Sequence, residues 1–151
     1  MWQRSLSQLD WDVEGSIGDV QFIEMGSRIE RARMEEMELI ILDTDLFINY
    51  FRGVEEAKEF IEPFPPNKRA TTDITVMELF KGARTKGELV TVDESIRRNI
   101  FIVLPVSSSS SRRAVQILRR YALQKGVSLH DAHIAAVTIS VCGKLLTGNE
   151  N

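Results

Sequence analysis

A chain of 151 residues, 43% apolar and 27% charged, has the length of one domain and the composition of an ordinary globular protein. Its single cysteine excludes an internal disulfide, and its longest weakly polar run, near Ile134 to Cys142, is far short of the ~20 residues that span a bilayer. With no apolar signal region after Arg4, the expectation is a cytoplasmic protein with no membrane partner.

The net charge of −3 is unevenly spread. Residues 1–36 hold four basic side chains against eight acidic ones, a net of −4, and the rest of the chain carries a net of +1. A local basic surface can therefore serve a polyanion despite the acidic total. The leader shows weak periodicity and no core of its own, although the charged stretch Arg28 to Glu38 can be helical.

From Met37 the pattern changes. Leu39-Ile40-Ile41-Leu42 reads as a buried strand closed by Asp43, followed by a helix over Leu46 to Phe51 with Gly53 at its end. Val54 to Ile61 predicts a second helix, broken by Pro63, Pro65 and Pro66. A short strand runs into Thr72, then a helix through about Ala83 and another over Lys86 to Arg98. Ile100 to Val106 reads as a buried parallel strand. The serines Ser107 to Ser111 read as a polar loop that caps a helix over Arg112 to Lys125. Gly126 ends that helix, Ser128 starts another through Val141, and Lys144 to Thr147 is a last strand. Cys142 reads as a small buried hydrophobe on a helix face. Strands alternating with helices predict an α/β fold with a parallel sheet, in which ligands gather at the carboxyl ends of the strands.

Three acids stand at such ends. Asp43 closes a strand buried on both faces, where a carboxylate without a partner is expensive to desolvate. Asp45 fits the role of helix cap better than Asp43 does. Glu78 and Asp131 each lie about one turn into a helix, in the capping-box patterns Thr75-Val76-Met77-Glu78 and Ser128-Leu129-His130-Asp131. A cap role and a ligand role are compatible, because a helix N-terminus favours the anion that a metal requires. Carboxylates brought together repel unless a cation joins them, and a hard ion such as Mg2+ takes oxygen ligands and serves phosphoryl chemistry. His130 and His133 do not share a helical face with Asp131 and read as surface or packing residues. The pairs Arg97-Arg98, Arg112-Arg113 and Arg119-Arg120, with Lys81, Arg84 and Lys86, read as solvated faces that can include a phosphate-contacting rim.

The segments Ile41-Leu42-Asp43-Thr44-Asp45-Leu46-Phe47-Ile48, Thr75 to Ala83 and Leu129-His130-Asp131-Ala132-His133-Ile134-Ala135-Ala136 together resemble PIN-domain ribonucleases, and most nearly the VapC-type toxins of toxin–antitoxin pairs. The resemblance runs from about Met37 to Asn149. It implies a three-layer α/β/α fold over residues 37–151 and a metal-dependent endoribonuclease that hydrolyses RNA with activated water. Asp43 and Asp131 would hold Mg2+ or Mn2+, and Glu78 would complete the acidic cluster and orient or deprotonate water. It implies a VapB-type antitoxin as partner and a homodimer as the assembly. Such proteins usually continue past a Thr-x-Asn motif, here Thr147-Gly148-Asn149, into an acidic or basic residue, a phenylalanine and a final edge strand. A fourth acid is therefore expected to be lacking, or supplied by Glu150. The leader resembles the tail of a VapB-type antitoxin, which would act as a tethered strap with Arg28, Arg31 or Arg33 near the acids; the bland alternative is a disordered extension. Two other functions remain open: an impaired PIN fold that binds RNA or an antitoxin without cleavage, and a phosphatase with Asp43 as nucleophile and Asp45 as general acid. Phe47 and the lack of paired downstream acids count against the phosphatase.

Overall fold

The computed structural model describes residues 38–100 and 102–148; the leader, Asn149 and Glu150 lie outside the described residues, and with them the expectations placed on Arg28, Arg31, Arg33 and Glu150. Ile40-Ile41-Leu42 is apolar on both faces and forms a central strand, β1 (Ile40–Leu42). It pairs in parallel with β2 (Arg69–Thr72) on one side and β4 (Lys144–Leu146) on the other, with Ile41 opposite Ala70 and Leu145. β3 (Ile102–Leu104) pairs in parallel with β2, giving the order β3-β2-β1-β4. Two helices occupy each crossover: α1 (Thr44–Phe51) and α2 (Glu55–Ile61), α3 (Asp73–Gly82) and α4 (Lys86–Asn99), then α5 (Ser108–Lys125) and α6 (Leu129–Ser140).

The period of two along the strands sends their side chains into separate cores. Ile40, Leu42 and Val103 pack with Phe47, Ile61, Leu79 and Ile96 from the first four helices. Leu39, Ile41, Ile102 and Leu104 face the other way, onto Ile134 and Val137 of α6. The second helical layer is deepened by α5, which packs on α6 through the small side chains Ala114, Ala132 and Ala136. Each large side chain buried this way stabilises the fold by roughly 1.5–3 kcal/mol. The result is the expected three-layer α/β/α arrangement. Gly143 shows how tightly it closes: a Cβ there would stand 3.0 Å from the Leu39 carbonyl oxygen and collide with the Ile41 side chain.

Several boundaries differ from the sequence reading, each for a local reason. The serine run is not a loop, because Ser107 caps a helix that starts at Ser108. The Ser110 amide donates to Ser107 Oγ at 3.1 Å and the Ser107 amide to Ser110 Oγ at 2.8 Å, a reciprocal cap that offsets the weak helix propensity of serine. α3 is capped by Thr72, whose Oγ1 accepts from the Thr75 amide at 3.2 Å, so Thr75 and Glu78 do not form the expected box. Cys142 is exposed, with φ of +53°, in the turn after α6. Among the described residues no helix is long and apolar enough to cross a membrane.

Candidate active site

Because all the described strands are parallel, their carboxyl ends share one edge, and the segments after β1, β2 and β4 open onto it. Asp43 leaves β1 there. Its amide donates to the Leu146 carbonyl of β4 at 3.0 Å, and its own carbonyl accepts from the Phe47 amide at 2.9 Å. The residue is only 8% exposed. One carboxylate oxygen accepts from the Thr44 amide at 2.7 Å and the other from the Thr147 hydroxyl at 2.8 Å. Asp43 is thus itself the N-cap of α1, the role the sequence reading gave to Asp45, which sits exposed in the first turn. Burial pushes the Asp43 carboxyl above the ordinary carboxylate range. The bonds from Thr147 and Thr44 oppose the rise, and the charges of Asp131 and Asp45 add to it.

Asp131 arrives at the third position of α6 in the capping box that its sequence foretold. Its amide donates to Ser128 Oγ at 3.1 Å, and its carboxylate accepts from the Ser128 amide at 3.0 Å. Glu78 comes from the middle of α3, half-buried, and meets Nδ1 of His130, an ion pair whenever that imidazole is protonated. α3 is locked to α1 beneath the site, where the Thr44 and Thr75 hydroxyls lie 3.0 Å apart. Asp73, at the start of α3, accepts from the Val106 amide at 3.0 Å and so fixes the exit of β3.

Asp43, Asp45, Glu78 and Asp131 line one small cleft of ≈ 250 Å³, with Ser128 and His130 on its wall. All three acids singled out from the sequence therefore reach a common cavity, together with Asp45. Among the described residues, however, no three His, Cys, Asp or Glu side chains stand close enough to hold a metal ion as they are placed. Glu78 turns toward His130 rather than toward the aspartates. The donor set fits a hard divalent cation by its chemistry: every acid on the wall offers oxygens, and Asp43 is a buried carboxylate beside two other negative charges. The Glu78–His130 contact was missed in the sequence, where nothing local links residues so far apart. Thr147 was visible only as part of a motif, without its bond to Asp43.

Two further cavities adjoin. One of ≈ 570 Å³ shares Asp43, Asp131 and Ile134 with the cleft and is otherwise walled by α5, the α5–α6 connection, Ala135 of α6, Leu145 of β4 and Thr147. The other, of ≈ 400 Å³, lies between α1, α3 and α4, with Ile48, Phe51, Leu79 and Val92 on its apolar side.

A family model described as PIN domain matches residues 40–151. A toxin–antitoxin complex from Klebsiella pneumoniae is similar at 27% identity and a TM-score of 0.60, over 73% of this chain and 86% of that one. DNA-bound VapBC from Salmonella typhimurium is similar at 25% identity and a TM-score of 0.56, over 72% and 83%. FitAcB from Neisseria gonorrhoeae, at 22% identity and a TM-score of 0.60 over 74% and 88%, shares the fold. No curated protein matches the chain.

Proposed function

Since this chain belongs to the PIN-domain family, we propose that it is a divalent-metal-dependent endoribonuclease, the toxin of a toxin–antitoxin pair. The observation that carries the reading is the convergence of Asp43, Asp45, Glu78 and Asp131 on one cleft at the carboxyl edge of a parallel sheet. The similar structures are toxin–antitoxin complexes, which supports a protein antitoxin as the partner here. RNA is the proposed substrate, and a homodimer the proposed assembly.

Asp43 and Asp131 would hold Mg2+ or Mn2+, with Glu78 completing the set. When bound, the ion supplies activation of water and compensation of the charge that grows on the scissile phosphate. The protein's part is positional. Thr44 and Thr147 fix both oxygens of Asp43, so its orientation is set before any ligand arrives. The α6 cap fixes the orientation of the Asp131 carboxylate. Glu78, carried by a helix braced through Thr75, orients the attacking water or takes its proton at a carboxylate oxygen. His130, whose Nδ1 meets that carboxylate, would steady it.

The test is cleavage of a structured RNA by the full chain with Mg2+, with EDTA, and as the Asp131→Asn variant. The expected result is cleavage lost with EDTA and in the variant. Cleavage that survives both would overturn the reading. For the leader we propose the strap: replacing Arg28, Arg31 and Arg33 together by Glu should raise the cleavage rate, and an unchanged rate would count against it.

A further inference from the structure

α5 differs from its neighbours in charge. Its sequence carries Arg112, Arg113, Arg119, Arg120 and Lys125 and not one Asp or Glu. On α4, by contrast, Arg97 and Arg98 pair one turn back with Asp93 and Glu94, at 2.9 and 3.7 Å. The four α5 arginines are exposed and have no carboxylate partner among the described residues. The opposite pattern stands in the leader, outside the described residues: positions 10–24 carry Asp10, Asp12, Glu14, Asp19 and Glu24 and no Lys or Arg. One helix face and one segment of the same chain are thus complementary in charge, with no opposing charge on either side.

α5 also walls the ≈ 570 Å³ cavity through Ile117 and Tyr121, while Val127 and Leu145 add apolar surface and Asp43 and Asp131 form the side shared with the acidic cleft. Arg113 and Arg120 stand one turn before and after Ile117, so they flank the cavity along the helix. The Arg120 guanidinium lies 5.3 Å from the centroid of the Tyr121 ring, which keeps it at this wall. The acidic segment of the leader opens on Asp10-Trp11-Asp12, an aromatic side chain between two carboxylates. An indole needs an apolar enclosure for its rings and an acceptor for its N–H. The cavity offers both, in its apolar walls and in the carboxylates at one side. A tryptophan between two acids therefore matches an apolar space between two arginines.

We propose that residues 10–24 of this same chain dock on the α5 face, with Trp11 in the cavity and Asp10 and Asp12 against Arg113 and Arg120. The connection is long enough. Fully extended, the chain from residue 12 to residue 38 reaches up to roughly 85 Å, against about 27 Å for the whole of α5. Exposed ion pairs are individually weak. A tethered partner, however, is present at an effective concentration on the order of millimolar, so a few weak pairs and one enclosed indole suffice. The docked segment lies against the wall that Asp43 and Asp131 share with the cleft, which makes it autoinhibitory and a competitor of any other ligand of the α5 face. This contact is separate from the strap, whose arginines follow later in the leader, and it does not depend on the ribonuclease reading.

Trp2 and Trp11 are the chain's two tryptophans, so the full chain with Trp2→Phe keeps Trp11 as its single indole. Its emission maximum and its quenching by acrylamide are read at low salt in EDTA, beside the same protein unfolded in urea. The folded protein should emit to the blue of the unfolded one and be quenched less. Adding Arg113→Glu and Arg120→Glu should move the emission to the red, to the wavelength of the unfolded chain, while thermal unfolding by circular dichroism stays cooperative. Adding Asp10→Arg and Asp12→Arg to that protein should restore the blue shift. Raising salt from 0.1 to 1 M shortens the screening length from about 10 to about 3 Å, and should increase quenching with no substitution on α5. Emission equal to that of the unfolded chain, or emission that ignores the arginine substitutions, would overturn the docking. Loss of RNA binding in the arginine variant at unchanged emission would give the face to nucleic acid instead. A blue shift that grows with protein concentration would make the occupant a second copy and overturn docking within one chain. None of these readouts needs cleavage, so the docking and the ribonuclease reading fail separately.

Discussion

At the β1–α1 junction Asp43 is 8% exposed, and its carboxylate is held by two hydrogen bonds and pushed by burial away from its charged form. At the α5–α6 junction Asp131 is exposed, and its charge is welcome at a helix start where it also closes the cap. The two acids meet at one cleft on opposite terms. Burying the Asp43 carboxylate costs stability, as burying a charge generally does. Asp131 stabilises the helix that presents it. One junction should therefore gain or lose little when its charge is removed, and the other should weaken.

The largest effect expected is on catalysis, and it should fall on both sides alike. Asp43→Asn and Asp131→Asn should each lower RNA cleavage by at least about 100-fold, since each removes an oxygen of the proposed ion site. Initial rates on one RNA check this. A variant of either residue that keeps near-wild-type rates would separate that acid from the chemistry.

Next in size is the support of Asp43. Thr147→Val removes the hydroxyl that holds one carboxylate oxygen, and should weaken Mg2+ affinity by about 10- to 100-fold while leaving the fold intact. Calorimetric titration with Mg2+ reads it directly. The comparison itself sharpens at Asp131. Asp131→Asn keeps an acceptor for the Ser128 amide, whereas Asp131→Ala loses the cap and should be less stable by about 1 kcal/mol in urea unfolding. Equal stability of the two would mean that the cap contributes nothing at this position.

The smallest effect is a dependence on pH. The raised pKa of Asp43 means that the folded chain binds that proton more tightly than the unfolded one. Ionised Asp43 therefore subtracts stability, fully so above its folded-state pKa, and this loss vanishes as pH falls below the unfolded carboxylate range. Asp43→Asn is uncharged at every pH and can keep both contacts, its Oδ1 accepting from the Thr44 amide and its Nδ2 donating to the Thr147 hydroxyl. In chelator, the stability of wild type relative to this variant should hence decline as pH rises through the acid range. A difference that grows in favour of wild type would reverse the sign assigned to burial.

The positions of Asp43 and Asp131 were legible because each stands at a fixed offset from an element boundary, the end of an apolar run for Asp43 and a Ser-x-x-Asp cap for Asp131, whereas the box expected for Glu78 did not form. The parallel sheet followed from the alternation of elements, and the α6 cap formed as written. What failed was local ambiguity. Thr72 and Thr75 both offer a plausible helix start, and only the burial of Thr75 against Thr44 decides between them. Ser107 to Ser111 reads as a loop until Ser107 and Ser110 are seen to cap one another. Asp43 and Asp45 compete for one cap, and the choice depends on where the strand ends. The Glu78–His130 contact and the Asp43–Thr147 bond join distant segments, so no local pattern in one sequence encodes them.

The most direct test of the account is thermal unfolding of wild type and Asp43→Asn in EDTA and in increasing Mg2+. If the cleft is an ion site whose buried carboxylate awaits a counter-charge, Mg2+ should stabilise wild type, by about 2.7 kcal/mol at a hundred times its Kd, and leave the variant's Tm flat. Equal shifts in the two proteins, or none in either, would contradict it.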